Sequence, residues 1–226
     1  MIAMEPLHDV DAVRVGPRAL PGELAWPQQP IGLVVFAHGS GSSRHSPRNR
    51  YVADVLHEHR LGTLLFDLLT GDEAQDRRKV FDIALLARRL GEALDWLRER
   101  DAHGLGNGLG ARRLGLFGAS TGAAAALCAA AERPGRVSAV VSRGGRGDLA
   151  ADALPKVQAA TMLIVGGADA EVLQLNRDVL RALRCEKRLE VVPGATHLFE
   201  EPGALDAVAH LGADWFVHHR ADEVVR

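Results

Sequence analysis

The tightest constraint on the fold of this chain is one junction. An apolar run over 114–117 enters Gly118-Ala119-Ser120-Thr121-Gly122, and an alanine-rich run over 123–131 leaves it. Gly-x-Ser-x-Gly between a strand and a helix is the pattern of a nucleophile elbow, a turn so sharp that side chains at either glycine would strike neighbouring backbone. Such a turn lifts the serine oxygen clear of the sheet. It also leaves the backbone N–H of Thr121, at the start of a helix, free to face a developing negative charge. A strand must precede this junction and a helix must follow it, and both must be buried.

Apolar periodicity extends that strand–turn–helix unit in both directions. Strands are expected over 31–37, 63–67, 113–117, 137–142, 161–165 and 188–192, mostly as continuous apolar runs suited to buried parallel strands. Helices are expected over 48–59, 81–100, 121–131, 171–184 and 203–218. This alternation gives an α/β fold, an open and mostly parallel sheet with helices on both faces. Residues 11–26, broken by Pro17, Pro21 and Gly22, are read as a short antiparallel hairpin at the sheet edge. The glycine-rich stretch 104–110 precedes a strand instead of following one, so it is a loop and not a phosphate cradle. The connection over 142–160 is too short for a lid domain, and an open site is expected.

At 226 residues, with 47% hydrophobic and 25% charged side chains, the chain is sized for one globular domain, 1–226. A formal net charge of -2 with interspersed signs gives no reason to expect a nucleic acid or an anionic membrane surface as partner. The first ten residues carry acids and no basic stretch before an apolar core, and no apolar run approaches the ~20 residues of a membrane span. A cytoplasmic protein is expected. The excess of arginine over lysine and the alanine runs fit a GC-rich bacterial genome. Cys128 and Cys185 have no metal-ligand or redox-motif company and read as buried thiols.

In an open α/β sheet, ligands sit beyond the carboxyl ends of the strands. Ser120 follows one strand, Asp169 follows the next-to-last within Gly166-Gly167-Ala168-Asp169, and His197 follows the last within Pro193-Gly194-Ala195-Thr196-His197. The order Ser, Asp, His is the one this architecture uses. A hydroxyl is a weak nucleophile at neutral pH and needs a base, and imidazole has a suitable pKa. His197 is therefore read as the base and Asp169 as the carboxylate that fixes its tautomer, with Glu171 as runner-up. The first parallel strand ends in His38-Gly39-Ser40-Gly41-Ser42-Ser43, whose small residues let backbone N–H groups approach a ligand. The N–H of Ser40, with Gly41 close behind, is expected to pair with that of Thr121 as the oxyanion hole, and His38 to brace the loop through hydrogen bonds. A phosphate loop there is disfavoured because no Lys-Ser/Thr pair follows.

With these residues in place, the chain resembles the α/β-hydrolase superfamily, and within it the small, lidless dienelactone hydrolase-like group, over nearly its whole length. The resemblance rests on His38-Gly39, Gly118-Ala119-Ser120-Thr121-Gly122, Gly167-Ala168-Asp169 and Gly194-Ala195-Thr196-His197-Leu198-Phe199. The chain is also similar to hydrolase domains fused to phosphoribosyltransferase domains in bacteria, without such a partner domain in these residues. True dienelactone hydrolases use a cysteine nucleophile, and the serine at 120 points instead to general ester chemistry.

The expected activity is hydrolysis of carboxylic esters through an acyl-serine, with a small-molecule ester as partner and no metal or organic cofactor implied. Acyl transfer and thioester hydrolysis are alternatives on the same three residues, and a non-catalytic binding domain is an alternative of another class. Substrate clues are thinner. Arg44, His45, Arg48 and Arg50 follow the oxyanion loop, and Arg143 and Arg146 follow the fourth parallel strand, so an anionic substrate group is a hypothesis. Arg143 is the best placed of these. Leu68, Leu69 and Thr70 are expected to line the acyl side, and a second subunit completing the open site would make the protein a homodimer.

Overall fold

A computed structural model describes residues 8–104, 108 and 114–220. The chain runs β1 (His8–Val15), β2 (Leu20–Pro27), β3 (Gly32–Ala37), α1 (Pro47–Glu58), β4 (Leu61–Phe66), α2 (Arg77–Val80), α3 (Ile83–Ala102) and β5 (Leu114–Ala119). It continues through α4 (Thr121–Glu132), β6 (Val137–Arg143), β7 (Ala160–Gly166), α5 (Ala170–Ala182), β8 (Lys187–Val192) and α6 (Ala204–His218). Residue 113 of the expected strand, and most of the glycine-rich stretch 104–110, lie outside the described residues.

One eight-stranded sheet has the order β1-β2-β4-β3-β5-β6-β7-β8. β1 pairs antiparallel with β2 and β2 with β4, so the hairpin expected at the edge is present, and every other pairing is parallel. From β3 the chain steps to β4 on one side and later to β5 on the other. The carboxyl ends of β3 and β5 therefore flank the point where strand order reverses, the crevice in which such sheets hold ligands.

The alternation of side chains along each strand divides the core in two. One face of the sheet packs Leu33, Val35, Leu116, Val140 and Leu163 against α3, α4 and residues of α5. The other packs Val34, Phe36, Phe117, Val141 and Ile164 against α1 and α6. α4 is buried almost all round, with Ala123 to Ala126, Ala129 and Ala130 fully covered. Side chains this small let it lie close to both the sheet and α3.

Helix starts follow the local chemistry. Ser46 caps α1 by accepting from the Asn49 N–H at 3.3 Å, with proline in the first turn, and Asp82 caps α3 by accepting from the Leu85 N–H at 2.9 Å. α3 begins two residues later than the apolar pattern alone suggests because Asp82 fixes its start, and the short α2 takes up the preceding residues.

Gly122 sets how closely α4 meets β3. A Cβ there would fall well inside contact distance of the carbonyl oxygens of Ala37 and His38. Gly122→Ala should therefore destabilise the fold by about 1–3 kcal/mol. Gly135→Ala, where a Cβ meets nothing within 4 Å, should stay within ~0.5 kcal/mol of wild type. Urea unfolding midpoints of the two variants check the contrast.

Candidate active site

Ser120 stands between β5 and α4 at φ 51° and ψ −120°, a left-handed conformation that side-chain-bearing residues rarely adopt. Strain of this kind costs about 1–3 kcal/mol and persists only where the surroundings over-determine it. Here they do. The Ser120 N–H donates to the Arg143 carbonyl at 3.1 Å, and the Ser120 carbonyl accepts from the N–H groups of Ala123 at 3.1 Å and Arg146 at 3.0 Å. Gly39 packs against the Ala119 carbonyl and the Ser120 Cβ, where an added methyl would sit at 3.1 and 3.2 Å.

Asp169 ends the turn after β7 and caps α5. Its Oδ1 accepts from the Val172 N–H at 3.4 Å, while its Oδ2 lies 2.7 Å from Nδ1 of His197. One carboxylate oxygen is thus spent on the helix and the other on the imidazole, which fixes the orientation of both. Glu171 is exposed in the first turn of α5. The turns carrying Asp169 and His197 are stitched together by backbone. The Gly167 N–H donates to the Val192 carbonyl at 2.8 Å and the Ala168 N–H to the Ala195 carbonyl at 2.9 Å. Gly166 lies so close to the carbonyls of Ala195 and Thr196 that no side chain fits.

With Nδ1 of His197 donating to Asp169, Nε2 is the ring nitrogen left to take a proton. No hydrogen bond joins Ser120 to His197 in this structure, and such contacts commonly tighten only around a substrate. The turn from Arg143 to Arg146 touches both residues. It holds the Ser120 backbone, and Gly144, at φ 52°, passes beneath the His197 ring at 3.4 Å from where its Cβ would be. Fully buried Asn176 secures this turn by donating to the Gly145 carbonyl at 2.9 Å. Neither Gly144 nor Asn176 was evident from sequence, because their roles depend on loops meeting across the sheet.

The loop after β3 is fastened to the end of β4. Asp67 accepts from the Arg44 N–H at 2.8 Å and pairs with the Arg44 guanidinium. His38 bridges its own loop to β4, since Nε2 accepts from the Leu68 N–H at 3.1 Å and Nδ1 lies 3.0 Å from the Gly39 carbonyl. These two contacts require the neutral, Nδ1-protonated ring, and burial lowers its pKa from the usual histidine value. The Ser40 N–H donates to the Thr121 hydroxyl at 2.9 Å, whereas the Thr121 N–H has no acceptor among the described residues.

A cavity of about 300 Å³ opens beside this loop, lined by Gly39, Ser40, Gly41, Leu69, Thr70, Val80 and Leu86 among others. Leu69 and Thr70 border it, whereas Leu68, expected beside them, is turned into the core and fully buried, and the pairing that closes the wall around Thr70 was not anticipated from sequence. Thr70 and Glu73 cap each other reciprocally, Thr70 N–H to Glu73 Oε2 at 3.1 Å and Glu73 N–H to Thr70 Oγ1 at 3.3 Å. Buried Arg89 of α3 then holds Glu73 at 3.2 Å. That backbone hydrogen bond, more than the nearby Arg89 and Lys79, lowers the Glu73 pKa. The Thr-x-x-Glu spacing was a legible signal for this turn.

The arginines expected around the pocket are mostly occupied. Arg48 pairs with Glu200 at 3.2 Å, Arg50 with Glu23 at 2.7 Å and Arg146 with Asp148 at 2.8 Å, while His45 faces Glu23 at 3.6 Å. Arg143 is buried and makes no ion pair among the described residues. The two cysteines, expected to be buried, are half-buried instead, and desolvation pushes the Cys128 thiol up to about 11 and raises that of Cys185. Among the described residues no three His, Cys, Asp or Glu side chains are grouped to hold a metal, and no helix is long and apolar enough to cross a membrane.

A mostly parallel sheet, a strained serine elbow at its reversal point and, among the described residues, no lid define an α/β-hydrolase fold. No family model matches the chain. A solved dienelactone hydrolase from Anabaena variabilis is 53% identical, with 96% of this chain and 100% of that one aligned at a TM-score of 0.88. The chain belongs to the dienelactone hydrolase-like group of the α/β-hydrolases. An esterase domain from a Rhodothermus marinus protein shares the fold at 18% identity, covering 94% of this chain and 98% of that one with a TM-score of 0.68. Curated proteins from two Mycobacterium tuberculosis strains, provisionally named phosphoribosyl transferases, are 55% identical over 216 residues, 95% of this chain. The chain spans 47% of their length.

Because the unfolded chain binds a proton at His38 more readily than the folded one, stability should fall as pH drops below about 6.5. The loss should level off once the folded ring is protonated too. His38→Gln keeps an acceptor for Leu68 without a titrating group, so its unfolding midpoint should lose less than wild type between pH 7.5 and pH 5.5. Parallel denaturation of both proteins at the two pH values measures the difference.

Proposed function

We propose that this chain is a serine hydrolase that cleaves carboxylic esters through an acyl-enzyme. The observation that carries the proposal is the 2.7 Å contact of His197 Nδ1 with an Asp169 carboxylate already fixed by capping α5, on the same sheet edge as a strained elbow serine. In this reading Ser120 Oγ attacks the acyl carbon as His197 Nε2 takes its proton. Collapse breaks the ester C–O bond, and the same proton passes to the departing alkoxide. A water then attacks the acyl-serine by the same route, returning the acid and free Ser120.

The oxyanion is stabilised by the Thr121 N–H and by the Ser40 N–H, which exchanges the Thr121 hydroxyl for the stronger, charged acceptor. Gly41 and Leu69 border the cavity that receives one end of the substrate. The named activity of the Anabaena variabilis relative and its 53% identity over 96% of this chain support the hydrolase class. The transferase name of the curated relatives belongs to proteins of which this chain matches 47%.

A fluorophosphonate probe should label wild type and not Ser120→Ala. Turnover of short-chain p-nitrophenyl esters should fall by about 10⁴-fold or more in Ser120→Ala and His197→Ala, and by roughly 10⁴-fold in Asp169→Asn. A folded wild type that neither labels nor turns over any ester would overturn the proposal.

A further inference from the structure

Arg143 ends β6 one residue before the glycine beneath His197, and its carbonyl accepts the Ser120 N–H at 3.1 Å. Sheet alternation puts its side chain on the same face as Ala139 and Val141, toward α1. Only 8% of the residue is exposed, and both Nε and Nη1 are buried without a hydrogen-bond partner among the described residues. The guanidinium lies 6.0 Å from the centre of the Phe199 ring, two residues beyond His197.

Its charged neighbour makes the arrangement odder still. The residue after Phe199, Glu200, is taken by Arg48 of α1 at 3.2 Å, and Arg48 has a buried Nε without a partner as well. Burial first, then the nearby Arg48 charge, pushes the Arg143 pKa down to about 10, which leaves it cationic at neutral pH. Two cations thus approach one another, and among the described residues the one carboxylate paired with either is Glu200, which meets Arg48 alone and is 65% exposed. Burying a charge is costly unless it is paired, whereas Arg44, Arg50 and Arg146 at the same sheet edge each have a carboxylate.

We propose that Arg143, assisted by Arg48, is a substrate-recognition element that binds an oxyanion carried by the ester, a carboxylate or a phosphate, on the opposite side of Ser120 from the apolar cavity. The strand order supports this placement. The cavity lies at the β3 and β4 ends, Ser120 at the end of β5 and Arg143 at the end of β6. A substrate straddling Ser120 then reaches an apolar wall with one end and a guanidinium with the other. The planar, weakly hydrated guanidinium suits such an oxyanion better than an ammonium does.

The proposal rests on the hydrolase reading for its kinetics but not for its binding. The first test compares kcat/KM for p-nitrophenyl butyrate and mono-p-nitrophenyl glutarate, esters that differ chiefly by a terminal carboxylate. Wild type should favour the anionic ester by tenfold or more. The preference should fall at least tenfold in Arg143→Met, and less in Arg143→Lys and Arg48→Met. An equal loss on both esters would mark Arg143 as structural and overturn the proposal. The second test titrates glutarate and inorganic phosphate into Ser120→Ala by calorimetry, alone and combined with Arg143→Met. Binding of glutarate that needs Arg143 identifies a carboxylate site, and binding of phosphate alone identifies a phosphate site. Binding of neither, with no ester preference, overturns it. Arg143-dependent binding in a protein that turns over no ester would leave this site standing and overturn the hydrolase reading alone.

Discussion

The site depends on how closely the start of α4 approaches the ends of β5 and β3. Two glycines permit it, Gly118 against the backbone of Ala123 and Gly122 against the carbonyls of Ala37 and His38. Once that approach is made, several placements follow together. Ser120 is forced into its left-handed conformation, the Thr121 hydroxyl meets the Ser40 N–H, and Gly39 is pressed against the Ser120 Cβ. The strain at Ser120 is local, whereas the burial that maintains it is spread along α4, whose alanines are fully covered. Relaxing the elbow would mean lifting that helix from the sheet, which costs far more than the strained dihedral itself.

The remaining side chains of the site are positioned by backbone contacts more than by one another. Asp169 and His197 lie on separate turns, after β7 and β8, and the turns are joined by two main-chain hydrogen bonds and by the close approach at Gly166. Asn176 and Gly144 extend the same support beneath the imidazole. The consequence is that a half-exposed histidine keeps a defined orientation without being buried, and so remains open to a substrate. Preorganisation of this kind matters because polar groups that need not rearrange during the reaction contribute most to lowering its barrier.

The fold was almost fully legible because parallel strands covered on both faces must be written as continuous apolar runs, and most of the six expected strands are, the exposed edge strand β8 being the exception. Element ends shifted by a residue or two where a cap decided them, as Asp82 does for α3. The strand ends pointed directly to Ser120, Asp169 and His197. What stayed hidden was the contact between segments far apart in the chain. Asn176 in α5 is an ordinary helical residue until Gly145 is seen beside it, and Arg89 resembles any surface arginine of an amphipathic helix until Glu73 folds over it. The pairing state of the arginines was hidden for the same reason, since composition gives the number of cations and not their partners.

That pairing state orders the electrostatics of the catalytic edge. On the β3 and β4 side, Asp67 neutralises Arg44 and Glu73 neutralises Arg89, so the groups facing the cavity are largely apolar or already satisfied. On the β6 side the balance reverses, with Arg48 paired to Glu200 and Arg143 to no carboxylate among the described residues. A potential of one sign at one end of a crevice, beside low-dielectric walls, is focused along it instead of being averaged away by solvent. Ser120 sits between the two ends, so in the proposed reaction the field that orients a polarised ester also acts on the negative charge that develops when the serine attacks. Under the proposed recognition role, a cation at the β6 end would also favour the negative charge developing at Ser120, because the burial that makes Arg143 costly to maintain also limits its screening by solvent.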